Sequence, residues 1–171
     1  MQRRVERLGF AIEPLRASDW PQVAAIFEEG IAAGDATLET EAPSWAKWDA
    51  EHSKDCRLVA RDGEHILGWA ALSPVSGRCV YGGVAELSVY VASRARRQGV
   101  GRALVLAIID ASEQAGIWTL QGHILHENTA SLALVAACGF RQVGIRERLG
   151  KLHGVWRDIV LVERRSDRVG L

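Results

Sequence analysis

The chain has 171 residues, of which 48% are hydrophobic, and its 21 lysines and arginines are balanced by 21 aspartates and glutamates. This length predicts one domain that can bury a sizeable core. The zero formal charge argues against a nucleic-acid partner or an anionic membrane, because both attract basic surfaces.

The N-terminal half is predicted to alternate between short strands and helices after a polar arm at residues 1–9. A strand in FAIEPLRASD leads to Ser18 and Asp19, both good helix N-caps. Apolar residues at helical spacing then predict a helix from Trp20 to about Ala33, which Gly34 ends. A polar loop, DATLETEAP, precedes a short helix from Ser44. The segments CRLVAR and HILGWAALSPV predict two strands joined by a tight Asp-Gly turn.

The C-terminal half contains a strand, a loop and a helix at its centre. The alternating, β-branched segment VAELSVYVA predicts a central strand. The basic loop RARRQGVG follows it and leads into an apolar helix that Gly116 ends. A strand in WTLQGHIL, a second helix in NTASLALVAACGF and two strands in FRQVGIRERLG and GVWRDIVLVERR complete the order. The pattern predicts mixed α and β structure in one compact unit at residues 10–165, with a tail at 166–171.

The cysteines and the termini bear on the cellular location. Cys56, Cys79 and Cys138 lack metal-ligand spacing, so we expect free thiols and no metal site. The basic N-terminus has no apolar stretch behind it and no apolar run approaches the length that spans a bilayer, so we expect neither a secretory signal nor a membrane segment. We therefore expect a cytoplasmic protein.

The loop after the central strand carries the clearest chemical signal. Gly99 and Gly101 precede a helix N-terminus, where backbone N–H groups and the helix dipole attract an anion and no Cβ obstructs its approach. Arg96, Arg97 and Arg102 add charge suited to several phosphates. The sequence is not a Walker loop, which needs Gly-Lys-Ser/Thr, nor a dinucleotide loop, which needs a third glycine. From the residues alone, an incidental basic turn remains an alternative.

The run from Arg96 to Gly101 matches the Arg/Gln-x-x-Gly-x-Gly/Ala signature of the GCN5-related N-acetyltransferases. The resemblance covers roughly residues 10–165 and implies a single-domain fold with a central, mixed but mostly antiparallel sheet flanked by helices. It also implies acetyl-CoA as co-substrate. The signature would bind the pyrophosphate of CoA, whereas the backbone of the central strand and an asparagine further along the chain would lie beside the pantetheine arm. The implied cofactor-binding residues are Val89, Val91, Arg96, Arg97, Gln98, Gly99, Val100, Gly101, Arg102, Asn128 and Ser131.

Within that superfamily the chain resembles the phosphinothricin acetyltransferase group, which includes enzymes that act on methionine sulfoximine or sulfone. The similar segments are Arg78–Tyr81, Glu86–Val91 and His153–Asp158, and Ala36–Thr40 looks like a substrate loop with Leu38 in place of phenylalanine. The implied substrate-binding residues are Thr37, Arg78, Tyr81 and His153, with Arg78 at an amino-acid carboxylate. Because the group commonly forms dimers, the resemblance also implies a homodimer.

Acetyl transfer needs a proton acceptor for the amine, and Glu86 is the candidate general base. It interrupts an apolar strand, so we expect burial to raise its pKa; a salt-bridged glutamate is the alternative. The superfamily often has a tyrosine, and the phosphinothricin group a histidine, where this chain has Val135, which cannot donate a proton. His123 and His126 are possible substitutes as general acid. Trp45, Trp48, Trp69 and Trp118 are expected in the core rather than at a binding surface.

Three functions stay open on the sequence. The first is acetylation of a small amine, such as a free amino acid or a phosphinothricin or methionine sulfone type analogue. The second is a protein or peptide N-acetyltransferase, which would need an open acidic groove; the sequence shows no acidic cluster near the central strand. The third is a catalytically silent CoA-binding module, favoured by Val135 and disfavoured by Glu86 and Arg78.

Overall fold

The computed structural model describes residues 9–171, so the predicted polar arm at 1–9 lies, except for Gly9, outside the described residues. The strands are β1 (Ala11–Pro14), β2 (Arg57–Asp62), β3 (His65–Pro74), β4 (Val84–Val91), β5 (Thr119–Leu125), β6 (Arg141–Leu152) and β7 (Val155–Arg165). The helices are α1 (Trp20–Ala33), α2 (Trp45–Glu51), α3 (Val100–Gln114) and α4 (Thr129–Ala137). Single 3₁₀ turns cover Ala17–Asp19, Cys79–Tyr81 and Ser93–Ala95. The elements predicted from the sequence within this range are therefore confirmed in type and order.

The strands form one sheet in the order β1-β2-β3-β4-β5-β7-β6. Neighbouring strands are antiparallel except β4 and β5, which are parallel. This arrangement confirms the predicted mixed, mostly antiparallel sheet, and it places the predicted central strand in the middle.

The pairing between β4 and β5 is short. It runs from Val84↔Thr119 to Glu86↔Gln121, although β4 continues to Val91 and β5 to Leu125. Beyond Glu86 the edge of β4 that faces β5 therefore makes no ladder with it, and main-chain N–H and C=O groups there are left for another partner. The end of this ladder is the feature of the fold that creates the site.

Helices cover both faces of the sheet. A Cβ on Gly68 would lie 3.1 Å from Leu104 and 3.2 Å from Val100, so α3 packs directly on β3 at that point. The neighbouring Trp69 points to the opposite face, where its ring lies 6.2 Å from that of Phe27 in α1 and 5.6 Å from that of Trp48 in α2. The first two helices and α3 thus lie on opposite faces of the sheet.

The helix ends agree with the sequence in most places. Gly34 ends α1 with a φ of 79°, and Ser44 caps α2 by accepting a hydrogen bond from the Lys47 N–H. Asp19 occupies the N-cap of α1 but does not cap it, because its carboxylate accepts instead from the Arg16 N–H and from Arg61. The predicted end of α3 at Gly116 lies two residues beyond the last helical residue, Gln114.

The C-terminal segment after β7 is anchored to α3. Ser166 donates a hydrogen bond to Glu113, and the guanidinium of Arg168 binds the other oxygen of the same carboxylate. Arg164, near the end of β7, also pairs with Glu113. Burial raises the pKa of the Glu113 carboxyl, but these partners lower it by a larger amount. The net pKa of Glu113 therefore lies below its usual range. None of the helices formed by residues 9–171 has the length and apolarity needed to cross a membrane.

Candidate active site

A cleft with a volume of about 690 Å³ opens where β4 and β5 stop pairing. Leu87, Ser88 and Val89 line one side, and His123 and Ile124 line the other. Because the two strands are held together only as far as Glu86, that residue lies where the cleft narrows to the paired strands. The cleft is the site that the described residues offer for the chemistry expected from the sequence.

Glu86 is held by two side chains from β5. Its Oε1 lies 2.8 Å from Nδ1 of His123 and its Oε2 lies 3.3 Å from Nε2 of Gln121. Both Glu86 and His123 remain partly accessible, with side-chain exposures of 32% and 25%. The carboxylate therefore reaches the cleft while its orientation is fixed from the neighbouring strand.

The expectation of a raised pKa for Glu86 is wrong. Burial does raise its pKa, but the hydrogen bond and charge of His123, together with the hydrogen bond of Gln121, lower it by more. The net pKa lies below the usual glutamate value, since the ionised form is the one these neighbours stabilise. The sequence showed the apolar strand around Glu86, but the partners come from a different strand.

The predicted phosphate-binding loop leads directly into α3. Gly99 is the N-cap with a φ of 80°, a left-handed conformation that glycine adopts without strain, and no side chain caps the first N–H groups of the helix. Arg96, Arg97 and Arg102 are exposed and form no ion pair with a carboxylate of residues 9–171. Free N–H groups at a helix N-terminus beside unneutralised arginines fit the pyrophosphate of CoA.

Other predicted residues of that loop have structural roles as well. Val100 is buried in the core, so only its backbone can serve a ligand. A Cβ on Gly101 would lie 3.0 Å from Leu134 and 3.5 Å from Val91, so this glycine also lets α3 pack closely against α4 and β4. The side chain of Gln98 donates to the Arg94 carbonyl at 3.0 Å.

Asn128 and Ser131 lie on the cleft at the start of α4. Asn128 is the N-cap, and its Oδ1 accepts the Ser131 N–H at 3.1 Å. Val135, one turn further on, also lines the cleft with a buried apolar side chain, so this position supplies no proton donor.

The structure does not bring the four predicted substrate residues together. Thr37 lines the cleft, but Arg78, Tyr81 and His153 are exposed and are not among its lining residues. The Arg78 guanidinium lies over the Tyr81 ring at 5.6 Å. The alternative proton donor His126 is also exposed outside the cleft, whereas His123 lies within it.

A wall of the cleft that the sequence did not reveal comes from α2 and the loop before it. Lys47 is the one lysine or arginine among the described lining residues. Four lining carboxylates accompany it: Glu39, Glu41, Glu51 and Glu86. The expectation that no acidic cluster lies near the central strand is therefore wrong, because three of these glutamates are remote from β4 in sequence and reach it only through the fold.

Aromatic rings form the inner part of this wall. Tyr90 stacks on Trp69 with ring centres 4.9 Å apart and meets the edge of Phe27 at the same distance. Burial raises the pKa of Tyr90 to about 12. Trp48 and Trp69 are buried as expected, yet both line the cleft, whereas Trp45 and Trp118 are half-buried.

Comparisons with known proteins agree with this geometry. Residues 17–140 match the model of the Acetyltransferase (GNAT) family. The chain is 36% identical to a phosphinothricin N-acetyltransferase of Alcaligenes faecalis, over 92% of this chain and 83% of that protein. It is 26% identical to an L-methionine sulfoximine/L-methionine sulfone acetyltransferase of Pseudomonas aeruginosa strain PAO1, over 94% and 96% of the two chains.

A solved structure extends the comparison to the fold and the co-substrate. The chain superimposes with a TM-score of 0.85 on a GNAT superfamily phosphinothricin acetyltransferase from Sinorhizobium meliloti in complex with acetyl-CoA, at 26% identity and over 95% of this chain and 91% of that one. The family match spans the loop at Gly99 as well as Glu86 and His123. The chain therefore belongs to the GNAT family and is an acetyl-CoA-dependent N-acetyltransferase.

Proposed function

We propose that the domain at residues 10–165 acetylates the amine of a small acceptor that carries an anionic group, such as a free amino acid or a phosphinothricin or methionine sulfone type analogue. The observation that carries this proposal is the Glu86 carboxylate, held by His123 at 2.8 Å in a cleft that is also lined by the cationic side chain of Lys47. Such a cleft offers opposite charges to the two ends of a zwitterion. The names of the two curated relatives described above point to the same class of acceptor.

In this proposal Glu86 acts as the general base on which loss of the amine proton depends. Bound acetyl-CoA supplies the thioester carbon that the acceptor nitrogen attacks. Arg96, Arg97 and Arg102 hold its pyrophosphate together with the N–H groups at the start of α3. The backbone of Val89 and Val91, on the unpaired edge of β4, binds the pantetheine amides as an added strand would. Asn128 and Ser131 border that arm.

The anionic group of the acceptor is proposed to bind Lys47 rather than Arg78. Lys47 lines the cleft, whereas Arg78 is exposed outside it and stacks on Tyr81. We expect Lys47→Ala to raise KM for the acceptor about tenfold, as for a lost charged hydrogen bond, with little change in KM for acetyl-CoA. Arg78→Ala is the matched control and should leave both constants nearly unchanged. If steady-state kinetics showed a larger rise in acceptor KM for Arg78→Ala than for Lys47→Ala, Arg78 would be the residue that binds the carboxylate.

A second candidate is supported by the four carboxylates that line the cleft, Glu39, Glu41, Glu51 and Glu86. Such a wall suits a cationic acceptor, including a peptide amine. A panel of acceptors separates the candidates: free amino acids and their sulfone or phosphinate analogues, the matching decarboxylated amines, and short peptides. The proposal predicts turnover of the first group and not of the decarboxylated amines. Preference for the amines or peptides would favour the second candidate, and acetyl-CoA binding without any turnover would indicate a silent module.

We also propose that the enzyme is cytoplasmic and that it forms a homodimer through the β6–β7 pair. Apolar side chains are unusually exposed there: Val143, Ile145 and Leu149 on β6, and Val155 and Trp156 on β7. Exposed apolar clusters of this kind commonly mark contacts between proteins. Sedimentation equilibrium of the purified protein tests the proposal, and a monomer at all concentrations would contradict it.

A further inference from the structure

We propose that His123 is a second catalytic residue: its Nε2 takes the proton from the acceptor nitrogen and returns it to the departing sulfur, with Glu86 as its anionic partner. This inference rests on the proposed function, because it presupposes an amine in the cleft. It refines the role of Glu86, which then drives deprotonation through His123 and does not receive the proton itself.

The contact between the two side chains fixes how the imidazole presents itself. An ionised carboxylate can only accept hydrogen bonds, so the nitrogen 2.8 Å from Glu86 Oε1, Nδ1, carries a hydrogen. The other nitrogen, Nε2, has no hydrogen-bond partner within residues 9–171, and His123 lines the cleft with 25% of its side chain exposed. In its neutral form, an imidazole held in this orientation carries an unshared electron pair on Nε2 and can act as a base, and in its protonated form it carries a proton there.

The surroundings of Glu86 suit it to orient His123 rather than to accept the proton of the amine itself. Both carboxylate oxygens are already engaged, Oε1 by His123 and Oε2 by Gln121 at 3.3 Å. The same contacts lower the pKa of Glu86 and so weaken it as a base. A carboxylate that is fixed and ionised in this way orients an imidazole and stabilises its protonated form, which is the division of roles found in carboxylate–histidine pairs.

Other candidate proton donors in the described cleft are less suited. Val135 has no proton to give. Tyr90 is packed between Trp69 and Phe27, and burial raises its pKa to about 12. Its hydroxyl is therefore a weak acid that gives up its proton reluctantly near neutral pH. His52 stacks on Trp48, and its Nδ1 lies 2.7 Å from the Trp48 carbonyl oxygen, so it is held on α2 and makes no contact with Glu86.

In the proposed step His123 acts first as a base and then as an acid, and the bonds and protons balance. The nitrogen–carbon bond of the new amide forms and the carbon–sulfur bond breaks. One proton passes from nitrogen to Nε2 of His123 and then to sulfur, which gives the free thiol of CoA. The second proton of the original ammonium goes to water, and His123 returns to its neutral form with Nδ1–H still bonded to Glu86.

The test compares His123→Asn, which keeps an N–H near the position of Nδ1, with His126→Asn, an exposed histidine on the same segment. We expect His123→Asn to lower kcat roughly 10²–10³-fold, as for loss of a general acid–base group, with acetyl-CoA affinity by calorimetry unchanged. His126→Asn should behave like wild type. In His123→Gly, added imidazole should restore part of the lost activity, which a purely structural role would not allow.

The hydrogen bond between His123 and Glu86 can also be tested in the protein without substrate. Proton NMR of the protein alone should show a far-downfield imidazole N–H resonance that persists in His126→Asn and disappears in both His123→Asn and Glu86→Gln. The double variant Glu86→Gln/His123→Asn should be no slower than about the slower single variant, because residues that act as a unit are strongly non-additive.

The outcomes separate this inference from the proposed function. If His123→Asn keeps kcat within about threefold of wild type while Glu86→Gln loses activity, Glu86 acts alone; the inference fails and the proposed function stands. If the fold losses in kcat of the two single variants multiplied in the double variant, Glu86 and His123 would act independently, and this result would also overturn the inference. If the wild-type protein acetylates no member of the acceptor panel, the proposed function itself fails, whatever the NMR signal shows.

Discussion

Glu86→Gln is expected to lower kcat by roughly 10²–10⁴-fold at neutral pH, the range for loss of a general base. Glutamine keeps the size of the side chain but cannot hold a negative charge opposite His123, so deprotonation of the acceptor loses its driving group. The change should not disturb the loop before α3, and acetyl-CoA should bind with unchanged affinity. Steady-state kinetics and calorimetry on the same preparations test both halves of the expectation.

Glu51→Gln provides the matched control for this variant. Glu51 also lines the cleft, but it lies exposed at the end of α2 and forms no hydrogen bond with His123. Its kcat should stay close to that of wild type. If Glu86→Gln turned over its best acceptor normally, the carboxylate would be structural, and the amine would have to lose its proton in solution before it binds.

Gly101→Asp is expected to weaken acetyl-CoA binding more than any other single change in the loop. An aspartate at the second residue of α3 would place a negative charge where the helix dipole and the arginines favour a phosphate. Loss of one or two charged contacts corresponds to roughly 1.5–3 kcal/mol each, so affinity should fall by about a hundredfold or more. Calorimetric titration with acetyl-CoA measures the effect.

Gly101→Asn separates the charge from the steric change. Both side chains add a Cβ that would lie 3.0 Å from Leu134, so both should strain the contact between α3 and α4 similarly. An acidic residue in the first turn of a helix is itself favourable for folding. We therefore expect the aspartate variant to be at least as stable to unfolding as the asparagine variant, yet to bind acetyl-CoA markedly more weakly. Equal affinities would show that the anion binds elsewhere.

Much of the fold was accessible from the sequence because its signals are local. Helical spacing, Gly34 and Ser44 defined α1 and α2, since the hydrogen bonds that end a helix involve residues only a few positions apart. The loop from Arg96 to Arg102 could also be identified as a candidate anion site, because strand, glycine turn and helix N-terminus are consecutive in the chain. Glu86 was identified as a candidate from its position within an apolar strand.

The tertiary structure alone decided what surrounds Glu86. His123 and Gln121 reach it because β4 pairs in parallel with β5, a strand separated from it in sequence by α3, and this pairing ends at Glu86. The same long-range packing brings Lys47 and three further glutamates onto the cleft and leaves Arg78 and His153 outside it. Strand register and helix docking depend on contacts between distant residues. For that reason the sequence by itself determined the glycine loop before α3, whereas only the tertiary structure determined the partners of Glu86 and the lining of the cleft.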